Sequence, residues 1–104
     1  MEKLSFQFHS VKPAAGNRML AIVGVVASGN LEVLLERSLP QDCCTIDVAT
    51  AAPGFTDLWQ AVLNEFVCRR NPGGLRISIN DAGARPDTVT LRLAQGVRLM
   101  ERNR

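Results

Sequence analysis

The sequence predicts an α+β fold: a small single domain with a mostly antiparallel sheet of about five strands and two helices. Two periodicities carry this reading. Apolar and polar residues alternate over Leu4 to His9, Leu31 to Glu36 and Leu75 to Asp81, whereas from Phe55 the apolar residues recur at three-and-four spacing. Size is the third observation. A chain of 104 residues with 46% hydrophobic and 21% charged content removes roughly two-thirds of its unfolded surface from water, enough for one core and not for two. Residues 1–104 are therefore read as one domain, and a multidomain enzyme is excluded.

Leu4, Phe6 and Phe8 against Ser5, Gln7 and His9 give a first strand. Pro13 to Gly16 form a loop, and the β-rich apolar run from Arg18 to Ala27 reads as a second strand, covered on both faces and hence central. Leu31, Val33 and Leu35 mark a third. Gly29 and Asn30, as the central pair of a primed turn, join the second and third strands into a hairpin, with Ser28 opening the turn. Counting outward pairs Ser28 with Leu31, Val26 with Val33, Val25 with Leu34 and Gly24 with Leu35. After the break from Pro40 to Cys44, Thr45 to Thr50 suggests a fourth strand.

Phe55, Leu58, Trp59, Val62, Leu63, Phe66 and Val67 lie on one helical face. Thr56 is a candidate cap, Asp57 suits the first turn, Arg69 and Arg70 suit the last, and Asn71-Pro72-Gly73-Gly74 ends the helix. Leu75, Ile77 and Ile79 then alternate as a fifth strand, so a βαβ-like pass is expected. Past Pro86 and Asp87, Val89, Leu93, Val97 and Met100 fit a terminal helix, although Val89, Leu91 and Leu93 also alternate like a strand.

Twelve basic residues against ten acidic give a net charge of +2, far from the strongly basic balance of most nucleic-acid binders. Ten of the twelve are arginines, five of them in the tail: Arg85, Arg92, Arg98, Arg102 and Arg104. The plain reading is a solvated helix face. The alternative is contact with an anionic ligand or partner, to which a guanidinium offers a fork of donors. Cys43, Cys44 and Cys68 match neither a disulfide framework nor a metal or redox spacing, so a cytoplasmic location is expected. The longest apolar run, Met19 to Ala27, is nine residues, about half of a bilayer span. No membrane association is expected, and a signal peptide is disfavoured because a strand pattern precedes that run.

Chemistry is narrowed by elimination. With His9 as its one histidine, the chain lacks the usual base for a Ser or Cys nucleophile. Ser28 lacks the flanking glycine of a nucleophile elbow and precedes a strand rather than a helix. Gly24 and Gly29 have the spacing of a phosphate loop, but Asn30 and Leu31 stand where Lys and Ser/Thr are required. Trp59 belongs to the helical stripe and reads as core, and Cys43 and Cys44 read as structural. What remains is the Ser28 hydroxyl at a turn, which either satisfies local backbone or is displayed to a modifying enzyme.

The segment Gly24-Val25-Val26-Ala27-Ser28-Gly29-Asn30-Leu31-Glu32-Val33-Leu34 resembles the small acyl carrier protein of bacterial malonate decarboxylase, its delta subunit. The Trp59 helix, Ile79-Asn80-Asp81-Ala82-Gly83-Ala84-Arg85-Pro86 and Leu91-Arg92-Leu93-Ala94-Gln95 are similar too, so the likeness spans most of Leu4 to Met100. It implies that Ser28 carries a covalent phosphoribosyl-dephospho-CoA prosthetic group, attached by a dedicated transferase. It further implies that the terminal thiol carries acetyl and malonyl groups between acyl transferase and decarboxylase subunits, the carrier itself being non-catalytic. Asn30 departs from the family's usual Asp, which bears on recognition by the attaching enzyme. In Asn80-Asp81-Ala82-Gly83 the aromatic that often precedes the glycine is missing. A citrate lyase-type carrier is the neighbouring reading, and an unmodified protein- or nucleic-acid-interaction module using the tail arginines is a different one. Arg76, Arg85 and Arg92 are candidate contacts to partners or to the arm's phosphates.

Overall fold

The structure, a computed structural model, describes residues 1–103; Arg104, the last of the tail arginines, lies outside the described residues. Five strands and two helices follow one another as β1 (Glu2–His9), β2 (Leu20–Gly24), β3 (Leu31–Arg37), β4 (Cys43–Thr50), α1 (Thr56–Arg70), β5 (Leu75–Asp81) and α2 (Pro86–Met100). The strand order is β1-β4-β5-β3-β2. Every neighbouring pair is antiparallel except β4 and β5, which run parallel. A parallel pair cannot be closed by a tight turn, and α1 supplies the crossover. The expected βαβ pass, the fifth strand and the terminal helix are all present.

Register puts one parity of every strand on a common face. Leu4, Val48, Ile79, Val33 and Val23 form one row across it and Phe6, Ile46, Ile77, Leu35 and Ala21 the next. Both helices cover this face: Trp59, Leu63, Phe66 and Val67 of α1 and Val89, Leu93, Val97 and Met100 of α2 are buried. The opposite face stays open, carrying Ser5, Asp47, Ser78, Leu34 and Ile22 in register. Arg37 closes the end of the molecule away from the residue 25–30 loop. Its guanidinium donates to the carbonyls of Ala14 (2.7 Å), Ala15 (3.0 Å), Arg18 (2.9 Å) and Met100 (2.8 Å), tying the residue 13–18 loop to the end of α2.

Three expectations are corrected. The apolar run from Arg18 to Ala27 is not a central strand: β2 covers only Leu20–Gly24 and forms the sheet edge. The reason lies in topology, since the α1 crossover inserts β5 between β4 and β3 and leaves β2 with β3 alone. The register of β2 on β3 also differs. Gly24 lies opposite Glu32 and Val23 opposite Val33, so a six-residue loop replaces the two-residue turn, and Val25 and Val26 stand exposed in it. Finally, Thr56 does not cap α1: Phe55 occupies the cap position and no side chain bonds there.

Candidate functional site

Gly24 shapes the loop that carries Ser28. Its φ is +78°, and a Cβ there would fall on the Leu31 carbonyl oxygen, so glycine alone lets the chain close on β3 and then leave it. Within the loop the Asn30 N–H donates to the Ala27 carbonyl at 2.8 Å, and Gly29 has φ +75°. A four-residue turn with positive φ at its third position is type II. Its central residues are Ser28 and Gly29, one residue earlier than the expected Gly29-Asn30 pair. The Asn30 side chain is committed elsewhere, its Oδ1 accepting from the Leu31 N–H (2.8 Å) and from Arg92 Nε (3.3 Å).

The turn is strapped down from outside. Gly29 N–H donates to the Ala82 carbonyl (3.0 Å), and Ala82 N–H donates to the Asn30 carbonyl (2.9 Å). Residues 82–84 are held in turn by Asp81, which is 4% exposed. One carboxylate oxygen accepts from Thr50 Oγ1 (2.8 Å), the other from the Ala84 N–H (2.9 Å). Ser28 sits at the tip of this fixed scaffold, exposed, its hydroxyl without a hydrogen-bond partner among the described residues. Such a hydroxyl is open to a modifying enzyme and is in no contact that would activate it as a nucleophile.

The three candidate arginines separate. Arg92 reaches the loop: its guanidinium donates to Asn30 and to Gln95 Oε1 (2.9 Å), both neutral, and it forms no salt bridge among the described residues. Arg85 is exposed beside the strap, 3.6 Å from Asp87. Arg76 pairs with Asp47 at 3.2 Å on the open sheet face, at the far end of β5, roughly 16 Å along the strand from Asp81. Among the other tail arginines, Arg98 and Arg102 are exposed. His9 is exposed and stands opposite the exposed Cys43 in the β1–β4 register. Burial pushes the Cys44 thiol up to about 12, and a hydrogen bond from Cys43 Sγ to the Asp42 carboxylate (3.5 Å) raises the exposed Cys43 as well.

Beside the strap, between the start of α1 and the start of α2, lies an apolar cavity of about 220 Å³, walled by Phe55, Leu58, Trp59, Val62, Pro86 and Val89. Thr50, Asp81 and Ala84 also line it. Phe55 and Leu58, two members of the helical stripe, are 50% and 44% exposed at its rim. The stripe therefore extends past what the core covers.

Asp81, Thr50 and this cavity were not apparent from sequence as parts of the site. A signal existed in Leu75, Ile77, Ile79 and Asp81, where a carboxylate continues the buried parity of β5. An acid on a core-facing position must be satisfied by donors, and here they are supplied by Thr50 and the strap.

Comparison with known proteins places this geometry in a family. Residues 18–100 match the family model described as malonate decarboxylase delta subunit. Over 104 residues the chain is 62% identical to a protein of Bradyrhizobium diazoefficiens named malonate decarboxylase acyl carrier protein, covering 99% of this chain and 98% of that one. A protein of the same name from Acinetobacter calcoaceticus is 46% identical over 101 residues, covering 97% and 98%. Among solved structures, a chain in the crystal structure of a Pseudomonas malonate decarboxylase hetero-tetramer in complex with malonate superposes with a TM-score of 0.84 at 41% identity, covering 96% of this chain and 99% of that one. On its sequence over nearly full length and on its fold, the chain belongs to the malonate decarboxylase delta subunit family.

Proposed function

We propose that this protein is the acyl carrier subunit of a malonate decarboxylase, with its prosthetic arm, phosphoribosyl-dephospho-CoA, joined to the Ser28 hydroxyl. The observation that carries the proposal is the exposed, unpartnered hydroxyl at the tip of a turn fixed by the Ala27–Asn30 bond and the two bonds to Ala82. A rigid turn delivers one hydroxyl in one orientation to an attaching enzyme and gives the arm a defined point of departure. The arm fits the neighbouring charge. Arg92, bonded to Asn30 and without a carboxylate partner among the described residues, offers its guanidinium to the arm's phosphates.

When attached, the arm supplies a terminal thiol whose thioester presents the acyl carbonyl for decarboxylation. The chain's own residues position and tether; they move no proton and break no bond. Tethering raises the local concentration of the acyl group at each partner site without any new contact. The partners are the acyl transferase and decarboxylase subunits and the transferase that attaches the arm. The exposed strip Met19, Leu20, Ile22, Val25 and Val26 runs along the β2 edge into the serine loop and offers them an apolar grip.

Intact mass after co-expression with the attaching transferase tests the reading. A single CoA-sized increment mapping to the Ser28 peptide, absent from Ser28→Ala, is expected. An unmodified mass beside an active transferase, or an increment that survives in Ser28→Ala, overturns it.

A further inference from the structure

We infer that the apolar cavity between α1 and α2 is a resting seat for the acyl-thioester end of this protein's own arm. The inference rests on the carrier reading above and adds to it a binding site on the carrier itself.

Three observations converge. The cavity and the serine turn share one piece of chain: Gly83 and Ala84 line the cavity, while Ala82, immediately before them, makes both bonds to the turn. A group tethered at Ser28 thus departs beside the cavity. The lining comes next. It is apolar, with Phe55 and Leu58 half-exposed at the rim although they continue the buried stripe of α1. Size decides what fits. Pockets that take drug-sized ligands run to about 300–1,000 Å³, and 220 Å³ falls below that range, so the cavity admits a short apolar terminus and not a nucleotide.

The thioester carbonyl stays at the rim, because the polar groups of the lining are already paired with one another. The Thr50 hydroxyl and the Ala84 N–H are both committed to Asp81, so the cavity retains few free donors. An acetyl methyl and the sulfur suit such a lining; a malonyl carboxylate does not, since burying an unpaired charge is strongly unfavourable. The seat therefore discriminates: acetyl-loaded arm docks, malonyl-loaded arm stays in water and available to a decarboxylating partner. The competing occupant is an apolar side chain of a partner subunit. The tether favours the arm, because a linked group is present at roughly millimolar effective concentration before any partner arrives.

Trp59, the one tryptophan of the chain, lines the cavity and reports its occupancy. The experiment uses full-length protein in three mass-verified forms: apo, holo with ¹³C-acetyl on the arm thiol, and holo with ¹³C-malonyl. Nuclear Overhauser contacts from the acetyl methyl to the Trp59 ring and Val89 methyls are expected, with a shift of the Trp59 indole resonance relative to apo and neither effect in the malonyl form. Filling the cavity with Val62→Phe, or with Ala52→Leu at a second lining position, should abolish the contacts while the arm remains attached. Absence of contacts in the acetyl form, with its adduct verified by mass, overturns the seat and leaves the carrier reading intact. A Trp59 shift that arises only when partner subunits are added also overturns it, by making the cavity a partner's docking site. Failure to obtain any adduct is a failure of the carrier reading instead.

Discussion

Gly24 and Gly29 both hold positive φ, yet they constrain the serine turn for different reasons, and substitution separates them. At Gly29 a Cβ meets open space, so Gly29→Ala introduces only the left-handed backbone strain of about 1 kcal/mol. At Gly24 the Cβ strikes the Leu31 carbonyl, and the β2–β3 junction must move. Gly24→Ala is thus expected to lower the rate of arm attachment far more than Gly29→Ala, read by intact mass against time, with thermal unfolding measured alongside. Ser28→Ala removes an exposed hydroxyl without a partner and should shift stability by no more than about 0.5 kcal/mol while abolishing the adduct. Cysteine chemistry gives an independent check. Burial raises the Cys44 pKa to about 12 by disfavouring the thiolate, so at pH 8 only about one part in ten thousand is ionised. Native apo protein should react with a thiol reagent at exposed Cys43 and Cys68 alone, the third equivalent arising on denaturation. The stability that goes with a raised native pKa is fully present below the thiol's ordinary value of 9.0 and is lost as pH rises toward about 12, so alkaline unfolding should expose Cys44 between those limits. Ser28 was legible from sequence as a displayed turn residue, and the role proposed for it rests on resemblance. The turn's register was not legible, because it is set by bonds from residue 82 to residues 29 and 30, far away in sequence.

Among the elements, the amphipathic ones were read best. The α2 face of Val89, Leu93, Val97 and Met100 is buried as the three-and-four spacing requires, and β5 begins and ends where its alternation does. The α1 stripe was legible as a helix but not as to depth: Trp59, Leu63, Phe66 and Val67 are buried while Phe55 and Leu58 are not. Periodicity fixes direction, and depth depends on which element lies opposite. Asp81 and Arg37 show what periodicity cannot convey: Asp81 is held by the distant Thr50 hydroxyl and the nearby Ala84 N–H, and Arg37 by backbone carbonyls of residues distant in sequence. Asp81→Ala leaves the Thr50 hydroxyl and the Ala84 N–H without their acceptor, expected to destabilise by about 1–3 kcal/mol. It should also free the strap, so that hydrogen exchange at the Ala82 and Gly29 amides accelerates more than exchange at the centre of β5. Arg37→Met keeps much of the side-chain bulk but loses bonds to four carbonyls. A loss of about 2–3 kcal/mol is expected, with Arg37→Lys recovering only part because ammonium lacks the forked geometry; denaturant unfolding checks both.

At the scale of the whole molecule, the misread position of β2 carries information. The Arg18 to Ala27 run has the composition of a strand covered on both faces, yet its strand lies at an edge, with Leu20 and Ile22 50% and 57% exposed and Met19, Val25 and Val26 exposed beside them. A strand at an edge presents unpaired N–H and C=O groups, and soluble proteins usually blunt such edges with charge, proline or a covering element. Strand β1, the opposite edge, carries Glu2 and Lys3, and each edge strand has a helix against it, α1 on β1 and α2 on β2. Strand β2 carries no charge in Leu20–Gly24. Its composition makes sense if the cover is another chain, and the strip leads directly into the serine loop, from which the proposed arm departs. Ile22→Lys tests this. A lysine on an exposed edge should change folding stability by no more than about 0.5 kcal/mol. Placed at the centre of an apolar interface, it should weaken assembly with the other subunits by at least about tenfold, or about 1.4 kcal/mol. Size-exclusion co-elution and calorimetric titration read that loss, and circular dichroism checks that the variant is folded. Full assembly of a folded Ile22→Lys carrier would show that the β2 edge is not the gripping surface.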